Sequence, residues 1–203
     1  MISRRLLLAA TMLAAAAAQP QTASAADPTP TATISSFYDA LLGVMKEGPA
    51  LGFKGRYDRL SPVIHRVFDL PLMTRLMVGP QWTSMTPTQQ EQLINAFGDF
   101  SVATYASRFD EYSGERFQVD PNPTQTASGA IVRSKLVKSD GDPVELDYLV
   151  RDSNRDWQIV DVYLSGTVSE LATRRSEFSS VLRRDGPDAL VDLLQKKAAQ
   201  LRG

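Results

Sequence analysis

The chain has no cysteine and only one histidine among its 203 residues. The first absence excludes disulfides, thiolate metal sites and a cysteine nucleophile, and it suits an exported protein that relies on packing alone. The second leaves His65 outside any His-Glu-x-x-His or related spacing, so no metal site is expected. With Arg66 beside it and Ile64 and Phe68 nearby, His65 reads as a structural or surface residue. No Gly-x-Ser-x-Gly elbow and no glycine-rich phosphate loop is present, and no cofactor is expected. The net charge is −1 with both signs interspersed, which argues against a nucleic-acid partner.

Long apolar runs are missing everywhere except the N-terminus. There Arg4 and Arg5 precede an apolar run from Leu6 to Ala18, and Ala23-Ser24-Ala25 offers small residues for cleavage. Residues 1–25 therefore read as a secretory signal peptide cleaved near Ala25, with an apolar run too short to span a membrane. Removing 25 of the 203 residues leaves 178, which fits one domain over residues 26–203 with a sizeable core. Pro28 and Pro30 among threonines suggest a short tether over residues 26–33.

Apolar spacing then gives helices. Ile34, Phe37, Tyr38, Leu41, Leu42 and Met45 form a stripe that Gly48-Pro49 ends. After a break at Gly52–Gly55, Arg56–Phe68 and Pro71–Met77 read as helices, the second stopping at Gly79-Pro80. Thr86-Pro87-Thr88-Gln89 carries a capping box and opens the longest helix, expected to reach Tyr112. Leu93, Phe97, Phe100 and Thr104 form one stripe, and Ile94, Tyr105, Phe109 and Tyr112 a second beside it. So wide an apolar arc belongs to a helix buried on two sides.

Beyond Gly114 the period changes to two. Four strands are expected: Glu115–Pro121, Ala127–Lys138, Val144–Arg151 and Trp157–Ser165, with turns at Ser139–Asp142 and Asp152–Arg155. In the last strand Val160, Val162 and Leu164 should face one side, and Trp157, Ile159, Asp161 and Tyr163 the other. Gly166 breaks it, and Thr167-Val168-Ser169-Glu170 has the form of a capping box for a helix to about Arg184. A second C-terminal helix, Asp188–Leu201, follows Gly186-Pro187. Helices, then an antiparallel meander, then helices imply an α+β fold: helices on one face of a twisted four-stranded antiparallel sheet, enclosing an apolar cavity.

Asp161 sits in mid-strand among apolar residues, where a charge needs a partner. Its simplest partner is Arg174 or Arg175 on the following helix; alternatively these arginines meet an acidic or phosphate headgroup at a pocket mouth. A catalytic alternative makes Asp161 a general base with Tyr148 or Tyr163 as hydrogen-bond donor.

Several stretches together resemble the toluene-tolerance, MlaC-like family of periplasmic lipid shuttles. They are Leu76-Met77-Val78-Gly79 with Trp82, Thr86-Pro87-Thr88-Gln89-Gln90 leading to Phe97 and Phe100, and Tyr105-Ala106-Ser107-Arg108-Phe109 with Tyr112. Asp156-Trp157-Gln158-Ile159-Val160-Asp161-Val162, then Gly166 and Arg174 to Phe178, complete the likeness. Such shuttles have a Gly-x-Ser step after the strand. Here Gly166-Thr167-Val168-Ser169 carries an extra residue, which looks like the hopanoid-biosynthesis-associated (HpnM-like) branch.

The resemblance implies a non-enzymatic carrier of a hopanoid or phospholipid with a membrane-bound lipid transporter as partner, expected as a monomer. The lipid-facing residues are expected to be Phe97, Phe100, Tyr105 and Phe109 opposite Leu146, Tyr148, Val160 and Val162. The roof would loosen at the Gly48–Gly55 and Gly79-Pro80 breaks. An enzyme using Asp161 with a tyrosine, and a protein-interaction adaptor with a filled core, are the rival readings.

Overall fold

A computed structural model describes residues 29–139, 141–153 and 156–202. The expected signal peptide, residues 26–28 of the tether, Asp140 of one turn and Asn154 and Arg155 of the next lie outside the described residues. Five helices and seven strands follow one another as α1 (Pro30–Lys46), α2 (Gly48–Val67), α3 (Leu70–Val78) and α4 (Pro87–Arg108), then β1 (Arg116–Val119), β2 (Thr124–Thr126), β3 (Gly129–Val132), β4 (Ser134–Val137), β5 (Val144–Ser153), β6 (Asp156–Leu164) and β7 (Val168–Ser169), and finally α5 (Glu170–Gln200). A 3₁₀ turn, Gly79–Ser84, joins α3 to α4. No described helix is long and apolar enough to cross a membrane.

The antiparallel sheet has seven strands where four were expected. One added strand precedes the run Ala127–Lys138, because Gly129, at φ 136°, closes a hairpin from β2 to β3. A Cβ there would lie 2.2 Å from the Val150 carbonyl, so only glycine fits the close approach to β5. The chain breaks again at Arg133, yet β3 and β4 keep one register along β5: Val132 opposes Tyr148 and Lys135 opposes Glu145. Arg133 spends its carbonyl on Asp120 N–H at 2.9 Å, where the outer neighbour changes from β1 to β2.

Alternation in β5 is as expected, with Leu146, Tyr148 and Val150 buried on the helix side. β6 departs from it. Leu149 opposes Asp161 but Val150 opposes Ile159, so Val160 is the extra residue of a β-bulge. The bulge turns Ile159 to the side of Val162 and the core, and Val160, though buried, falls outside the central apolar cluster. Its cause lies on the strand's free edge, where Phe68 forms a parallel bridge with Ile159 and Asp69 N–H donates to the Ile159 carbonyl at 2.9 Å.

Helix ends follow their caps. α1 starts earlier than its apolar stripe because Thr29 accepts from Ala32 N–H and Pro30 occupies the first helical position. α4 shows the expected capping box at Thr86 and Gln89 but stops at Arg108, short of Tyr112. Buried Arg56 explains the stop: its guanidinium donates to the Ala106 carbonyl (2.8 Å) and to the Gly48 carbonyl (3.0 Å), fastening the end of α4 to the start of α2. Gly48 lies so close that a Cβ would meet the Asp110 carbonyl oxygen at 2.0 Å. α5 doubles back at Gly186 (φ 86°), which brings Lys197 Nζ within 2.6 Å of Glu177 and over the Phe178 ring. Burial raises the Glu177 pKa, but Lys197 and Arg174 lower it more, and the carboxyl is held below its usual range.

Candidate functional site

Between α4, the start of α5 and the inner face of β5–β6 lies a pocket of about 140 Å³. α4 supplies one wall, because Phe97, Phe100, Ser101, Thr104, Tyr105 and Arg108 recur at helical spacing. Leu146, Tyr148, Val162 and Leu164 supply the opposite wall through the two-residue period of β5 and β6. Phe68 and Met73 close the deep end, where both are buried. Phe109, Leu171, Glu170 and Arg174 complete the lining; with exposed Arg108 they make up the rim.

A packed aromatic cluster runs from the deep end of the pocket to its rim. Tyr105 meets Phe37 edge-on at 5.2 Å and stacks on Phe109 at 5.9 Å, and Phe37 also meets Phe68 and Tyr148 edge-on. Tyr38 hydrogen-bonds to Ser134 at 2.5 Å, Ser134 donates to the Leu146 carbonyl, and the Tyr148 ring meets Tyr38 edge-on at 5.7 Å. That chain satisfies two buried hydroxyls behind the pocket wall. Burial pushes the Tyr38 phenol up to about 12 and the Tyr105 and Tyr148 phenols well above their ordinary value.

Seven of the eight residues expected to face lipid therefore line this pocket: Phe97, Phe100, Tyr105, Phe109, Leu146, Tyr148 and Val162. Val160 does not, because the bulge moves it out of the alternation. Sequence reasoning missed Phe68, Met73 and Arg108. Arg108 carried a usable signal, lying seven residues from Ser101 and three from Tyr105 on the same stripe.

The corner from β6 to α5 differs from expectation in two ways. Thr167 is not the helix cap: Val168–Ser169 pairs back onto Tyr163–Leu164 as β7, and Ser169 caps α5 by accepting from Ala172 N–H at 2.9 Å. Nor does buried Asp161 pair with Arg174 or Arg175 among the described residues. One of its carboxylate oxygens accepts from Ser169 Oγ at 2.6 Å, and the other from Leu171 N–H at 3.1 Å and Val162 N–H at 2.8 Å. A helix N-terminus supplies orphan donors and the positive end of a dipole, so it replaces the expected cation.

The two arginines separate. Arg174 lies over the Phe100 ring at 5.0 Å, between Glu177 (3.3 Å) and Glu170 (3.6 Å), with 19% of its side chain exposed at the pocket rim. Arg175 is exposed and rests its guanidinium against Gly79, outside the pocket lining. His65 is exposed, with Nδ1 2.8 Å from the Ser61 carbonyl. Among the described residues no cluster of three metal-ligating side chains forms.

The family model described as "MlaC protein" matches residues 35–196. The toluene tolerance protein ttg2D of Pseudomonas putida is 23% identical over 134 residues, which cover 65% of this chain but only 61% of that relative's length. A phospholipid-binding protein of Ralstonia solanacearum, solved in complex with a phospholipid, aligns with a TM-score of 0.74 and 27% identity. That alignment covers 86% of this chain and 99% of the solved one.

Proposed function

The chain belongs to the MlaC protein family, and we propose that it is a periplasmic carrier that shuttles a phospholipid between membranes without covalent chemistry. The observation that carries this reading is the pocket, aromatic and aliphatic at depth with Arg108 and Arg174 at its rim. The solved relative's phospholipid supports the ligand class. Hydrocarbon crossing an aqueous compartment must be kept from water, at about 0.8 kcal/mol per methylene, and the deep wall offers that shelter. Arg108 at the rim suits a phosphate left at the surface and takes the place first given to Arg175, while Arg174 is held between Glu170 and Glu177.

At about 140 Å³ the pocket is smaller than the roughly 300–1,000 Å³ of ordinary ligand sites. Loading a lipid therefore requires the helical roof to move off the sheet. Gly48 and Gly79 are poor hinges, being pressed against Asp110 and Arg175. Gly52 (φ 59°) and Gly186 (φ 86°) have open space around them and suit the role better.

A hopanoid is the second ligand class, favoured by the extra residue after Gly166, which contributes to the β7 fold-back beside the pocket rim. Export by a signal peptide, one lipid-binding domain over 26–203, a monomeric state and hand-over to a membrane-bound transporter belong to the same reading. An enzyme using Asp161 is disfavoured, since both carboxylate oxygens are engaged at the α5 cap. The test is gentle purification of the exported protein followed by lipid extraction and mass spectrometry. Near-stoichiometric phospholipid is expected; a hopanoid in its place would reassign the ligand. No lipid in repeated preparations, with no uptake of labelled lipid, would overturn the carrier.

A further inference from the structure

Three hydroxyls on one stripe of α4 line the pocket: Ser101, Thr104 and Tyr105. Ser101 donates to the Phe97 carbonyl and Thr104 to the Phe100 carbonyl, each at 2.8 Å, so both are satisfied within the helix. Tyr148, on the opposite wall, packs edge-on against Tyr38 at 5.7 Å. Tyr105 makes no hydrogen bond to the described residues, although its ring is packed between Phe37, Phe68 and Phe109. A phenol held this firmly in an aromatic wall ordinarily finds a partner for its O–H. The Tyr105 hydroxyl is not sealed from the pocket, so its partner comes from whatever fills the pocket.

We propose that the Tyr105 hydroxyl donates to an ester carbonyl of the bound lipid, making the pocket selective for ester-linked glycerolipids. Helix geometry supports the placement. Arg108 stands three residues beyond Tyr105, about 4.5 Å further along the axis toward the rim. A phosphate at Arg108 therefore puts the short glycerol backbone, and its ester groups, beside Tyr105. Below them Phe97, Met73 and Tyr148 receive the acyl chains.

This assignment rests on the carrier reading, and one experiment separates the two. Binding of a diacyl phospholipid and of its dialkyl ether analogue, with the same headgroup and chain length, is measured for the intact mature protein and for Tyr105→Phe. The substitution removes no protein hydrogen bond, so the fold is retained, and circular dichroism verifies it. The wild type is expected to prefer the ester lipid by about five- to tenfold, the worth of one hydrogen bond. Tyr105→Phe should lower ester-lipid affinity to the ether level and leave ether-lipid affinity unchanged. With a ¹³C-labelled ester, the carbonyl stretch of bound lipid should shift down in the wild type relative to Tyr105→Phe. Equal affinities in the wild type, or a preference that survives Tyr105→Phe, overturns the proposal while leaving the carrier standing. Failure of either lipid to bind the wild type overturns the carrier reading and the proposal with it.

Discussion

Replacing Asp161 by alanine tests the corner that joins sheet to roof. The carboxylate holds two donors from the start of α5, Ser169 Oγ at 2.6 Å and Leu171 N–H at 3.1 Å, and one local donor, Val162 N–H. Hydrogen bonds to a charged group contribute about 1.5–3 kcal/mol each, and the two long-range ones are lost together. The local bond adds less, because neighbouring backbone holds Val162 in place. Asp161→Ala is therefore expected to cost about 3–6 kcal/mol, which for a domain of this size lowers Tm by about 6–24 °C. Asp161→Asn keeps the oxygen that serves Leu171 and Val162 and should cost about 1 kcal/mol. Arg174→Gln and Arg175→Gln should each stay within about 1 kcal/mol of wild type, since neither guanidinium serves Asp161. The assay is urea and thermal unfolding followed by circular dichroism. Equal losses in Asp161→Ala and in either arginine variant would restore the ion pair and refute the cap. A Tm for Asp161→Ala within about 2 °C of wild type would refute any structural role of that size.

Other parts of the frame give further expectations. Arg56→Ala should cost about 2–3 kcal/mol by orphaning the Ala106 and Gly48 carbonyls, and Arg56→Lys should recover only part because an ammonium lacks the fork; denaturant titration measures both. Gly48→Ala should destabilise by about 2 kcal/mol or more, because the added methyl meets backbone that cannot move aside, and thermal melting reads the loss. Burial raises the Tyr38 phenol from its ordinary value of 10.0 to about 12 in the folded state. The folded form thus holds that proton more tightly, so the stability linked to it is complete below pH 10 and lost as pH rises toward 12. Tyrosinate absorbance from Tyr38 should accordingly appear together with alkaline unfolding, and a Tyr38→Phe variant should lose that late component.

Much of the pocket could be read from periodicity, since a helix and a strand announce which residues share a face. Phe97, Phe100 and Tyr105 on α4 and Leu146 and Tyr148 on β5 follow directly from spacings of 3.6 and 2. Val160 breaks that logic, because a bulge is set by what crosses the strand's edge. Here the edge partner is Phe68-Asp69, about 90 residues away in sequence. Asp161 shows a different limit. Its burial demands a partner, but only the three-dimensional path of Gly166–Leu171 decides between a cation and the N–H groups of a helix end. The role of Arg56 is not legible in the sequence, because a partnership with the far end of α4 leaves no trace in local pattern. The kinks at Gly52 and Gly186 were visible as breaks, whereas the doubling back that brings Lys197 to Glu177 is a tertiary fact.

The central claim is that lipid hydrocarbon occupies the space between α4 and the inner face of β5–β6. A phospholipid carrying a photoactivatable diazirine near the end of one acyl chain, loaded into the intact mature protein, addresses it by mass-spectrometric mapping of adducts. The account predicts cross-links to the deep lining, at Phe68, Met73, Phe97 and Tyr148, that unlabelled phospholipid competes away. Adducts confined to the outer sheet face or to α1, or labelling that excess phospholipid leaves unchanged, would contradict it.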